Sequence, residues 1–300
     1  MANNVITLKL TGKQENTLLK TWQENKAKTP PYAKWQLKNE NCVITCYESG
    51  KTVFQGKDAQ VYASPFMKEE TTTKKLILKT AEIFPQAGSD EVGTGDYFGP
   101  VCVCATIVDE NSLPLLRKLG IRDSKQLCDE EIRKIAPEIM KVIPCSLLIL
   151  DNPHYNAVHD RINLNAIKAM LHNKAYVNLA SKCGLPAFRI VDQFALEKTY
   201  YSYLKNEKQV VKPIHFETKA EDKYPSVGAA SVIARYAFLV KWDEMEEKYG
   251  MTFHKGGGAK ADQSASLFVQ KFGFDKLGEV AKLHFKNTEK LKSSRFSNNT

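Results

Sequence analysis

The stretch GSDEVGTGDYFGPVCVCA, residues 88–105, sets Asp90 and Glu91 side by side at the mouth of a glycine-rich turn and follows them with an apolar run. Asp, Glu and Gly all fit poorly in a sheet interior, so local propensity does not explain the pattern and a site explains it better. Successive side chains of a regular strand point to opposite faces. For both acids to serve one centre the strand must end or twist, and Gly93 and Gly95 give the chain that freedom. The plain alternative is a solvated turn.

Two further acids stand where chemistry is commonly placed. AFRIVDQF (187–194) reads as a buried strand ending in Asp192, and the carboxyl ends of α/β strands border the functional crevice. TKAEDKYPSVGAASVIAR (218–235) sets Glu221 just before a helix expected to start at Pro225, a favoured first position. A loop acid remains the alternative for Asp192, and an electrostatic helix cap for Glu221 or Asp222. Four carboxylates brought together repel and raise one another's pKa unless cations neutralise them. Hard divalent cations with oxygen ligands, Mg²⁺ or Mn²⁺, are the expected solution.

The elements that would position these groups alternate from residue 87 onward. Strands are expected at 87–92, 98–108, 145–150, 187–192 and near 213–217, and helices at 129–141, 163–181, 225–247 and 262–272. A hairpin followed by βαβ-type alternation predicts an α/β domain with a mixed sheet covered by helices. Before it, strands at 4–10, 32–38, 42–47 and 52–56 with helices at 13–26 and 58–62 form a βαβββα unit, a small antiparallel α+β domain. The reading is therefore an N-terminal domain over 1–65, a linker over 66–86 in which Leu76-Ile77-Leu78 retains packing potential, and a main domain over 87–300.

Composition narrows the class. Three hundred residues with 43% hydrophobic content suffice for folded cores. No apolar run approaches a membrane span, and the polar stretch at 12–16 does not read as a signal-peptide core, so a cytoplasmic location is expected. Seven cysteines form an odd set with no CxxC pair, which argues against a disulfide framework or zinc site. The net charge of +9 favours a polyanionic partner, and residues 1–65 alone carry nine Lys against five acids. Six scattered histidines form no motif. HKGGGAK (254–260) lacks the terminal Ser or Thr of a phosphate-binding loop and no clear strand precedes it.

GSDEVGTGDYFGP, RDSKQL (122–127), IVDQF and KAEDKYPSVGAASVIAR, in this order, resemble the motifs of the type 2 ribonucleases H. The basic N-terminal unit and the Gly-Thr-Gly form of the glycine motif make the resemblance one to the bacterial ribonuclease HIII family, along essentially the whole chain. It implies a ribonuclease H fold preceded by a TATA-binding-protein-like domain. It also implies four metal-binding catalytic carboxylates, which map to Asp90, Glu91, Asp192 and Glu221. The related HII pattern usually has Asp at the fourth position; here Glu stands there, and Asp222 competes for the role. The implied reaction is two-metal hydrolysis of the RNA strand of RNA/DNA hybrids, giving 5′-phosphate and 3′-hydroxyl ends. Gly93, Thr94 and Gly95 would contact ribose 2′-hydroxyls, with Ser124, Lys125 and Ser231 along the strand-binding surface. Lys34, Trp35, Lys38 and Tyr47 are candidates for gripping the hybrid from the N-terminal sheet, although Trp35 and Tyr47 are equally suited to a core. A monomer without an obligate protein partner is expected. The alternatives are incision at single ribonucleotides in DNA, as in the HII enzymes, and a non-catalytic hybrid-binding protein.

Overall fold

The computed structural model describes residues 4–66, 83–121 and 127–297. The chain divides into two compact units, Met1–Ile77 and Leu78–Thr300, and the division falls within the 66–86 stretch. Ser124, Lys125 and the Leu76–Leu78 run lie outside the described residues.

In the smaller unit, strands β1 (Asn4–Lys9), β2 (Ala33–Lys38), β3 (Val43–Tyr47) and β4 (Lys51–Gly56) form an antiparallel sheet of order β1-β4-β3-β2. Helix α1 (Gly12–Thr21) starts at a reciprocal cap, in which the Thr11 N–H donates to Gln14 Oε1 at 2.9 Å and the Thr11 hydroxyl accepts from the Gln14 N–H. It stops earlier than its apolar spacing suggests and passes into a short 3₁₀ turn at Gln23–Asn25. With α2 (Ala59–Ala63) it contributes to one core with the sheet, where Leu18, Leu37, Ile44 and Phe54 are buried. Alternation along the strands sends Gln36, Lys38 and Thr45 to the opposite face.

The larger unit is a five-stranded mixed sheet of order β7-β6-β5-β8-β9, built from β5 (Gln86–Val92), β6 (Val101–Val108), β7 (Cys145–Leu150), β8 (Phe188–Asp192) and β9 (His215–Glu217). Strand β5 is central. It runs antiparallel to β6 and parallel to β8, as expected for a hairpin feeding βαβ alternation. Helices in this unit include α3 (Leu113–Lys118), α4 (Asp129–Val142), α5 (Asn152–His159), α6 (Leu164–Cys183), α7 (Glu197–Tyr203), α8 (Pro225–Tyr249), α9 (Ala259–Phe272) and α10 (Lys286–Ser297). Helix α8 packs on β5 and β6 in one core, and α6 belongs to a second core with Val101, Val103 and Val191. The approach of α8 is close at Gly88, where a Cβ would lie 2.4 Å from the Val227 nitrogen. Ser226 fixes the contact by donating to Gln86 Oε1 at 2.9 Å, while its carbonyl accepts from Thr106 Oγ1 at 2.7 Å.

The short helices α3, α5 and α7 and the C-terminal helix α10 extend beyond the elements expected from the sequence. Helix α10 occupies the basic C-terminal segment, with Asn287, Thr288 and Leu291 buried along it. No described helix is long and apolar enough to cross a membrane.

Candidate active site

The site begins at the carboxyl ends of two adjacent parallel strands. Asp90 and Glu91 lie near the end of β5, Asp192 ends β8, and Glu221 sits in a 3₁₀ turn, Ala220–Asp222, that precedes α8. Lys219 enters that turn in the left-handed region, at φ 54°. The turn is tied to β8 by the Ala220 N–H, which donates to Asp192 Oδ1 at 2.9 Å. This bond places Glu221 against Asp192 and turns Asp222 outward: Glu221 is buried and Asp222 is exposed.

Asp90 is buried. Burial, then the charges of Glu91 and Asp192, push its carboxyl well above the usual range, against hydrogen bonds from the Ser231 hydroxyl and the Glu91 N–H. Asp192 is also raised, by burial and by Glu221 and Glu91, with the Ala220 N–H opposing. Glu91 behaves in the opposite way. Burial alone would raise it, but His172 and Lys168 hold it below its ordinary value. His172 Nε2 meets Glu91 Oε2 at 2.8 Å, and Lys168 pairs with Oε1. The other ring nitrogen of His172 meets Ser89 Oγ at 2.7 Å.

Lys168 and His172 are functional candidates that the sequence reading missed. They stand four apart on α6, hence on one helix face, and the Phe194 ring covers both: the Lys168 ammonium lies 4.0 Å from its centroid and the His172 ring stacks at 5.4 Å. The available signal was a Lys and a His at that spacing inside a run otherwise rich in Ala and Leu.

The glycine motif forms the loop leaving β5. Gly93 has φ 94° and a Cβ there would lie 2.2 Å from the Pro100 carbonyl oxygen, so only glycine fits. Gly95 is exposed with open space at its Cβ position, and Thr94 is half-buried. Ser231 lies on α8 with its hydroxyl on Asp90. In the smaller unit Lys34 and Lys38 are exposed, and Tyr47 lines a shallow depression of about 480 Å³ with Thr7, Tyr32 and Val53. Trp35 takes the core alternative left open for it. A register shift between Ala33 and Trp35 and the alternation with buried Leu37 put it against the core, away from the face that carries Lys38.

Among the described residues no three His, Cys, Asp or Glu side chains are already gathered as a metal-ligand group. Glu91 is turned onto Lys168 and His172. The donor chemistry nevertheless fits a hard divalent cation, because the four acids offer only oxygen, and such a charge offsets the burial and mutual repulsion that raise Asp90 and Asp192.

The mixed sheet with carboxylates at the ends of adjacent strands fits a protein of the ribonuclease H type, and the sequence model of the family described as Ribonuclease HII matches residues 87–288. A second model, described as a domain of unknown function (DUF3378), matches residues 5–76. Ribonuclease HIII of Bacillus cereus is 42% identical over 88% of this chain and 89% of its own length. The crystal structure of Bst-RNase HIII in complex with Mn²⁺ superposes with a TM-score of 0.71 at 36% identity, covering 97% of this chain and 98% of that one. An Aquifex aeolicus RNase H3 structure, at 22% identity and a TM-score of 0.57 over 93% of this chain and all of that one, shares the fold. The chain belongs to the ribonuclease HIII family.

Proposed function

We propose that the protein is an endonuclease that hydrolyses the RNA strand of RNA/DNA hybrids with two divalent cations, acting as a cytoplasmic monomer. The observation that carries this reading is the placement of acids at the ends of the adjacent strands β5 and β8 and in the turn before α8, which the Ala220 N–H ties to Asp192. Its likeness to a relative crystallised with Mn²⁺ supports the metal.

Asp90, Glu91, Asp192 and Glu221 would hold the cations. When bound, these would activate water as the nucleophile and stabilise the leaving 3′ oxygen of an in-line displacement. The chain supplies charge and position. Ser231 and the Glu91 N–H orient the Asp90 carboxyl, the Ala220 N–H orients Asp192, and Lys168 with His172 keeps Glu91 ionised. No side chain has to act as nucleophile. Gly93, Thr94 and Gly95 would read ribose 2′-hydroxyls through main-chain groups, since Gly95 leaves room for a sugar edge. Ser124, Lys125 and Ser231 would follow the strand. Residues 1–65 would grip phosphates with Lys34 and Lys38 beside Tyr47, while Trp35 supports that sheet from beneath.

The test is incubation of end-labelled uniform hybrid, a duplex with one embedded ribonucleotide, and double-stranded RNA, each with Mg²⁺, Mn²⁺ or EDTA. Metal-dependent cutting of the hybrid to 5′-phosphate and 3′-hydroxyl ends is expected. Hybrid left intact with both metals would refute the proposal, and preference for the single ribonucleotide would favour HII-like incision.

A further inference from the structure

The loop that follows the paired acids is held from beneath by a residue distant in sequence. Lys282 is fully buried, and its ammonium donates to the main-chain carbonyls of Asp96 at 2.9 Å, Gly99 at 2.5 Å and Phe98 at 3.4 Å. Its own N–H donates to the Tyr97 carbonyl at 2.8 Å. Around it the segment 280–282 runs beside the loop: Gly99 N–H donates to the Val280 carbonyl, and Phe98 pairs with Ala281. A second tie comes from the glycine run at 256–258. Gly256 N–H donates to Asp96 Oδ1 at 2.6 Å, and Tyr97 N–H donates to the Gly256 carbonyl at 3.0 Å.

Placing an ammonium in a protein interior is costly unless its donors are satisfied, and here three backbone carbonyls of one short loop satisfy them. Burial brings the Lys282 amine down to about 7, with Asp96 and Cys102 opposing. An apolar side chain would fill the same volume without that cost, but it would remove the donor shared by the Asp96, Phe98 and Gly99 carbonyls and leave only Gly99 with another side-chain donor, Asn152 Nδ2 at 3.0 Å.

We propose that Lys282 is a positioning residue for hybrid recognition, whose ammonium fixes the loop from Gly93 to Pro100 so that Thr94 and Gly95 present their main-chain groups to the RNA ribose. The inference rests on the hybrid-cleaving function proposed above. It gives the 254–260 glycine run a structural task as the outer tie of the same loop, and it takes the first basic residue of the C-terminal segment out of direct nucleic-acid contact. Because Asp90 and Glu91 precede the loop in β5, which its pairing with β6 and β8 holds in place, and Asp192 and Glu221 lie elsewhere in the chain, loosening the loop falls on substrate affinity before it falls on the chemical step.

The test compares Lys282→Met, Asp96→Ala and Asp96→Asn with the unaltered protein on uniform hybrid. Lys282→Met is expected to raise KM about tenfold while the single-turnover rate at saturating hybrid changes less than about threefold. Asp96→Ala is expected to shift KM in the same direction, and Asp96→Asn, which keeps the acceptor for the Gly256 N–H, to restore it to within about twofold. A cooperatively melting Lys282→Met protein with unaltered KM would overturn the inference. Should that variant fail to fold, unaltered KM in Asp96→Ala would overturn it equally. Absence of hybrid cleavage by the unaltered protein with Mg²⁺ or Mn²⁺ would instead reject the functional reading on which the inference stands.

Discussion

Asp90 and Glu91 are neighbours in sequence with opposite electrostatic situations, and this gives their neutral variants opposite effects on stability. Asp90 is buried beside two carboxylates, whereas Glu91 is clamped between Lys168 and His172. Asp90→Asn removes repulsion and is expected to raise the melting temperature of the metal-free protein by a few degrees, about 2–4 °C per kcal/mol for a unit of this size. Glu91→Gln leaves Lys168 buried against a neutral amide and is expected to cost roughly 3 kcal/mol. Both should lose most cleavage activity, as should Asp192→Asn. Thermal melts in EDTA and initial rates in Mg²⁺ separate the two effects, and a destabilised Asp90→Asn would show that the repulsion is already relieved in the metal-free fold. At the fourth position Glu221→Gln should cost far more activity than Asp222→Asn, because Glu221 faces Asp192 while Asp222 is exposed; the reverse order would put the register of that turn in error. The acids were legible because Asp and Glu beside glycine or at a strand end have little local reason to be there. Lys168 and His172 were missed, since their spacing of four in an Ala- and Leu-rich run does not by itself separate a buried clamp from a solvated face until α6 is laid across the sheet. Lys282 was less legible still, because the carbonyls it serves lie more than 180 positions away in sequence.

At the scale of elements, the site depends on how closely α8 approaches β5. That helix carries Ser231 and follows the turn that holds Glu221, so its height over the sheet sets both contacts with the β-strand acids. Gly88 permits the approach. Gly88→Ala would drive a methyl group to within 2.4 Å of backbone at Val227, and backbone does not swing aside as a flexible side chain does. The expected outcome is a loss of about 1–3 kcal/mol in denaturant unfolding together with a fall in cleavage rate, as Ser231 and Glu221 are lifted from Asp90 and Asp192. Unaltered activity in that variant would show that the four acids tolerate displacement of the helix. The long helices were readable from apolar periodicity over many residues, and most strands from short apolar or alternating runs bounded by turn residues. Helices α3, α5 and α7, of 6 to 8 residues, are too short to display a period, and α10 mixes charges around its circumference, so its docking comes from Tyr97 bonding Thr288 and from Gly257 accepting from Asn287.

For the whole molecule the question is what the basic N-terminal unit adds to acids that all lie in the larger unit. Its sheet exposes Lys34 and Lys38, and phosphate contacts of that kind strengthen binding without carrying sequence or sugar information. A protein lacking residues 1–77 is therefore expected to bind hybrid more weakly and with a shallower salt dependence, the slope of log K against log salt falling by about 0.9 for each phosphate that is no longer neutralised. Its single-turnover rate at saturating hybrid should remain within about threefold of the full chain, because every acid and the glycine loop are retained. Selectivity should also survive the deletion. A loop that reads several 2′-hydroxyls on uniform hybrid meets only one on a duplex with a single ribonucleotide, and each unmet hydrogen bond costs about 1–3 kcal/mol, so two of them suppress cleavage by about 30-fold or more. The ratio of kcat/KM on the two substrates, measured at matched salt and metal, should thus be nearly the same with and without the N-terminal unit. Collapse of the single-turnover rate in a folded truncation would mean that this unit helps to build the catalytic centre, and collapse of the ratio alone would move sugar recognition from the Gly93–Gly95 loop to the basic sheet.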